Sequence, residues 1–115
     1  MKLKFMRGYH KDKPKIEIGT LEYTGEEYIW KYAPIDESLG FADSFWDVPH
    51  IPRGLPEYRS KELFEYFKWR IPPKRRKDFG EYLEMFGLDE YTEWGYIVAS
   101  GLRTVTDMDE LVKEV

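Results

Sequence analysis

The sequence predicts one α+β domain over residues 1–115, an N-terminal antiparallel sheet of about three strands followed by three to four short helices. Three observations predict it. Apolar and polar residues alternate through residues 2–32, the period of a half-buried strand. Beyond Ser60 the apolar residues recur three and four apart, the spacing of a helix face. Between these regions lies a segment with Pro49, Pro52 and Pro56, which suits neither a sheet centre nor a helix interior. No repeat, low-complexity tract or linker divides the chain.

Leu3 and Phe5 alternate with Lys2 and Lys4, so a first strand is expected from Lys2 towards Tyr9. The polar turn from His10 to Pro14 leads to Ile16, Ile18, Leu21 and Tyr23, a second strand with an irregularity at Gly19. Thr24-Gly25-Glu26 makes a tight connection. Tyr28, Trp30 and Tyr32 then alternate with Ile29 and Lys31, which completes the clearest hairpin signal. Residues 35–59 carry Leu39, Phe41, Phe45, Trp46, Val48, Ile51 and Leu55, too apolar for a disordered linker. They are read as an ordered loop laid across the body, and loops of that length tend to be functional.

The stretch Glu57–Pro73 reads as a helix with a start, a face and a stop. Ser60 can cap it, Glu62 suits the positive end of its dipole, and Leu63, Phe64, Phe67 and Ile71 share one face. Pro72 and Pro73 end it. A second amphipathic helix is expected over residues 78–86, with Gly87 as its left-handed cap. A third opens at Asp89, turns Trp94, Ile97 and Val98 inward and ends at Gly101. Residues 102–105 read as a short strand. Thr106 and Asp109 resemble a capping box that opens a last helical turn through Leu111 and Val112.

Composition narrows the function classes. Cysteine is absent, which removes disulfides, thiol nucleophiles and cysteine–metal sites and fits a reducing compartment. No apolar run approaches the ~18–20 residues of a membrane span, and the N-terminus lacks the pattern of a secretory signal. A cytoplasmic protein without a membrane association is expected. Asparagine and glutamine are absent too, while Glu and Lys are abundant, the composition of a thermophile protein. The net charge of −4 conceals a basic head and an acidic tail that can pair within the fold.

Catalytic patterns are missing. His10 and His50 stand apart without metal-ligand spacing, so neither a metal nor another cofactor is expected. No serine sits in a nucleophile elbow, and no glycine-rich phosphate loop or kinase signature occurs. The chain is therefore read as a non-enzyme. Its basic run Lys68, Arg70, Lys74, Arg75, Arg76 and Lys77 is the alternative, a nucleic-acid-binding segment with Trp69 beside it to stack on a base. Against this, acidic residues follow at once, and no Asn or Gln is available to read adenine. Aromatic residues make up 17% of the chain, more than a core of this size must hide. Trp46, Tyr58, Arg59, Trp69 and Arg70 lie in the loop and at the helix ends, and their types are those enriched in interface hot spots. They are the candidate partner-binding residues.

At Glu57-Tyr58-Arg59-Ser60, with Leu63-Phe64 and Phe67 following, the chain resembles the N-terminal domain of HipA-type toxin kinases and the small stand-alone HipS-like proteins related to it. Gly19-Thr20-Leu21, Tyr28-Ile29-Trp30-Lys31-Tyr32 and Ser44-Phe45-Trp46-Asp47-Val48-Pro49 resemble further family elements in the same order. The resemblance covers about residues 16–101. It departs at Ile71-Pro72-Pro73-Lys74, where the family often carries a Leu-Pro-Glu-Gly-like loop, and the family's kinase core has no counterpart here. It implies a small α+β module that binds a kinase core or a DNA-binding partner and modulates it, as in toxin–antitoxin systems, with a separately encoded HipA-like kinase as the expected partner, rather than a phosphotransferase.

Overall fold

Strand β1 (Lys2–Arg7), β2 (Ile16–Tyr23) and β3 (Tyr28–Tyr32) form an antiparallel meander in the computed structural model, which describes residues 1–71, 81, 84–85, 92–104 and 107–113. The turn between β2 and β3 is held by Thr24, whose hydroxyl accepts from the backbone N–H groups of Glu26 and Glu27. Two more strands extend the sheet, β4 (Tyr58–Ser60) beside β3 and β5 (Asp109–Lys113) beside β1. The order is β4-β3-β2-β1-β5, and every neighbouring pair is antiparallel.

The period of two sorts the side chains onto two faces. Leu3, Leu21, Trp30 and Tyr58 stand opposite one another across four strands, with Phe5 and Leu111 opposite each other nearby. This face is the core. Phe67, Leu63, Tyr96, Ile97 and Leu102 cover it, together with Trp46, Val48 and Ile51 from the central loop. The opposite face carries ion pairs such as Lys4–Glu17 and Lys15–Glu110. An antiparallel sheet with one solvated face needs such polar residues there. Between β1 and β2 the pairing steps from Phe5↔Gly19 to Met6↔Glu17, so Ile18 is the extra residue of a bulge beside Gly19.

The expected architecture of about three strands followed by three to four helices is corrected: the fold is mostly sheet. Among the described residues there are five strands and two helices, α1 (Glu65–Lys68) and α2 (Glu93–Ser100), with two 3-10 turns at Glu37–Leu39 and Asp43–Trp46. The stretch expected to be one helix from Ser60 is a strand, a turn and then a single helical turn. Tyr58–Ser60 lies beside the open edge of β3, where its backbone groups find partners at once. Ser60 still caps, but it accepts from Glu62 N–H within the turn rather than at a helix start. The C-terminal segment is corrected in the same way. Leu111 and Val112 belong to β5, and Leu102 sits in a left-handed turn rather than a strand. An isolated helical turn is marginal in water, whereas the edge of β1 offers a ready ladder.

Helix α2 is capped by Thr92, whose hydroxyl accepts from Gly95 N–H, and it ends at Gly101 in the left-handed conformation. Tyr28 ties it to the sheet by donating to Glu93 over 2.7 Å. Of the expected helix over 78–86, Glu81, Glu84 and Met85 are described and helical; its other residues, the Gly87 cap, the Asp89 start, the Pro72–Pro73 stop and the Thr106 cap lie outside the described residues. No helix among the described residues is long and apolar enough to cross a membrane.

Candidate partner-binding surface

The central loop is ordered by a single hydroxyl. Tyr32 Oη accepts from Val48 N–H and donates to the carbonyl of Ile51, which clamps a two-residue turn closed by the Val48↔Ile51 bridge. Arg53 stacks over the Tyr32 ring at 4.1 Å and donates to the Trp46 carbonyl. With its base fixed, the loop drives Trp46, Val48 and Ile51 into the core. It leaves Phe41 and Phe45 half-buried against the exposed ring of Tyr9, 4.8 Å and 6.4 Å away. These three rings form an aromatic shelf.

The shelf borders an open cleft of about 480 Å³, whose lining includes Phe45, Pro49 and Met108 with Ser44, Asp47 and Asp107. A charged network lies at its base. Arg7 on β1 donates through Nε and Nη2 to Asp109 at 2.9 and 3.1 Å, and through Nη1 to the carbonyls of Phe45 and Asp47 at 2.7 Å each. One arginine thus joins β1, β5 and the loop. Tyr66 on α1 donates to the same Asp109 carboxylate. Arg70, just past α1, donates to the carbonyls of Leu102 and Asp109, to Tyr66 Oη and to both oxygens of Asp107.

The electrostatics follow from that wiring. Burial works against the charge of Arg7, but the hydrogen bond and charge of Asp109, helped by Tyr66, outweigh it and hold its pKa above the ordinary value. Burial, then the hydrogen bond and charge of Asp109, push the Tyr66 phenol up to about 12. The hydrogen bond from Arg70 holds the Asp107 carboxyl below its usual value. All these groups keep one protonation state near neutrality, so the network is suited to bearing structure and not to shuttling protons. Among the described residues, no group of His, Asp and Glu is arranged to hold a metal ion.

The five candidate residues do not form one surface. Trp46 is 3% exposed and belongs to the core. The Arg70 side chain is 8% exposed and its donors are engaged within the fold. Tyr58 is half-buried and donates to the Pro52 carbonyl. Arg59 leaves β4 on the solvated face, paired with Glu27 and Glu57. Only Trp69 stands free, 65% exposed at the end of α1, with the His50 ring edge-on at 5.0 Å. Lys74, Arg75, Arg76 and Lys77 lie outside the described residues.

Sequence reasoning missed Arg7, Tyr66, Asp107 and Asp109, and one signal could have found them. Once Leu111 is placed inward on a strand, Asp109 shares its face, and a carboxylate on a core face requires a cation. Arg7 shares the face of Leu3 and Phe5 and is the register partner of Asp109. No family model matches the sequence, and neither a curated protein nor a solved structure is similar to it.

Proposed function

We propose that this chain is a non-catalytic protein-binding module that regulates a separately encoded kinase-like protein of the HipA type, in the manner of a toxin–antitoxin pair. The observation that carries the binding role is the shelf formed by the exposed ring of Tyr9 and the half-buried rings of Phe41 and Phe45, beside a cleft whose base is rigidly wired. Exposed aromatic rings on a preorganised base are what interface hot spots are made of, because little ordering remains to be done on binding. Trp69, beside His50, adds a second exposed anchor. The kinase partner is supported by the resemblance at residues 57–67. The nucleic-acid alternative is weakened, since Arg70 spends its donors inside the fold.

Co-expression with the kinase-like product of a neighbouring gene tests this reading. A complex that co-purifies, and that Tyr9→Ser weakens, is expected. The absence of both a complex and any relief of the partner's toxicity would defeat it.

A further inference from the structure

The aromatic shelf is the place where two loops of opposite charge meet. Tyr9 comes from the connection between β1 and β2, where residues 8–15 hold three lysines and one aspartate. Phe41 and Phe45 come from the central loop, where residues 35–47 hold four acidic residues and no lysine or arginine. Some of these charges are answered within the fold. Lys15 pairs with Glu110, Asp47 with Arg53, and the Asp36 carboxylate accepts from Ser38. Lys11, Lys13, Glu37 and Asp43 are exposed and, among the described residues, make no ion pair. The central loop also leaves Ile35 and Leu39 42% and 40% exposed. A partly apolar surface thus carries unanswered positive charge on one loop and unanswered negative charge on the other.

We propose that this surface is self-complementary and pairs two copies of the chain about a two-fold axis through the shelf. In such a contact each side of the patch on one copy meets the opposite side on the other. A patch of one sign would repel its own copy. Here the axis sets Lys11 and Lys13 of each copy against Glu37 and Asp43 of the other, with the rings of Tyr9, Phe41 and Phe45 packed between them. Complementary charge fixes that register and disfavours others, because like charges brought together are repelled. Three partly exposed rings and a few flanking side chains make a small contact, and complexes that bury less than ~1,200 Å² are weak and transient. A weak pair suits regulation, since it covers the shelf while the partner is absent and yields it when the partner binds.

The regulatory role rests on the module reading, but the pairing can be tested without the kinase-like protein. Sedimentation of the full chain over a wide range of concentration should show a monomer–dimer equilibrium that salt weakens. Two charge-reversed variants locate it, Lys11→Glu with Lys13→Glu, and Glu37→Lys with Asp43→Lys. Each should weaken the dimer about tenfold, because every reversed contact occurs twice in a two-fold pair. The second variant has no net charge, since each reversal raises the wild-type −4 by two. Relief of general repulsion would strengthen its association, so weakening is specific to the proposed contact. Mixed in equal amounts, the two variants should pair with each other about as well as the wild type does. Lys31→Glu on the polar face of the sheet should change nothing. Circular dichroism matching the wild type shows that each variant is folded. A chain that stays monomeric, a dimer indifferent to both sets of reversals, or folded variants that fail to pair in the mixture would overturn the proposal. If the chain is monomeric and the partner complex still forms, only the pairing falls. If the chain pairs but no partner complex forms, it is the module reading that fails.

Discussion

Arg7 shows how much of the tertiary structure can hang on one side chain. It sits at the end of β1, donates to the Asp109 carboxylate on β5, and holds the loop by donating to two carbonyls. Asp109 is 7% exposed, and Arg7 and Tyr66 supply the hydrogen bonds that a buried carboxyl group needs. Tyr66→Phe removes one of those donors, and a hydrogen bond to a charged group contributes about 1.5–3 kcal/mol. Near neutral pH the variant should be less stable by about that amount in urea unfolding. The alkaline limb gives a second reading. The folded-state pKa of Tyr66 is raised from 10.0 to about 12, so the fold favours the neutral phenol. Its contribution is complete below pH 10 and is lost as the pH rises towards about 12, because the unfolded chain ionises first. The two stability curves should converge over that window. Parallel curves would show that Tyr66 does not titrate with folding.

The two edges of the sheet are managed differently. On β5 the outward backbone groups are covered: Asp109 N–H by the Asp107 carboxylate, Asp109 carbonyl by Arg70, and Leu111 N–H by the Gly101 carbonyl at 2.8 Å. That close approach needs Gly101, since a Cβ there would lie 2.7 Å from the Leu111 carbonyl oxygen. The β4 edge is only three residues long and carries Arg59. Both devices discourage pairing with a further chain. Inside the sheet, Gly19 lies under Trp30, and a Cβ there would come close to the Lys31 backbone carbonyl oxygen and within 2.5 Å of the indole ring. Gly19→Ala should therefore destabilise the protein by about 1–3 kcal/mol, the range for overpacking a core, measured by thermal or urea unfolding. An unchanged midpoint would mean that both Trp30 and the Lys31 backbone have room to move. Gly19 was legible in the sequence as an irregularity because a glycine broke the alternation of Ile16, Ile18, Leu21 and Tyr23. The helix expected from Ser60 was not refuted by anything local. Tyr58–Ser60 became a strand because β3 had an unpaired edge beside it, which no window of sequence displays.

At the scale of the whole molecule, a sheet with one polar face is packed under the central loop and helices α1 and α2, and the core is rich in aromatic rings. Phe5, Trp30, Phe67 and Tyr66 meet edge-on at centroid distances of 5.4–5.8 Å or tilted at 5.6 Å. Such pairs add about 0.5–1.5 kcal/mol each beyond the area they bury. The thermophile expectation itself rests on composition, the absence of Asn, Gln and Cys in a chain rich in Glu and Lys. The melting temperature should lie above the ~45–65 °C of mesophile domains, and calorimetry giving a midpoint inside that range would reject it. By itself the sequence determined the β1–β2–β3 meander, the core face of Leu3, Phe5, Leu21 and Trp30, and the anchoring of an apolar proline-containing loop. These rest on periodicity and turn chemistry within a few residues. Only the tertiary structure decided that 58–60 and 109–113 are edge strands, that Trp46 and Arg70 are interior, and that Arg7, Tyr66, Asp107 and Asp109 meet at one cleft. Those outcomes depend on which backbone edge and which opposite charge arrive from far along the chain, and that is a property of the folded arrangement.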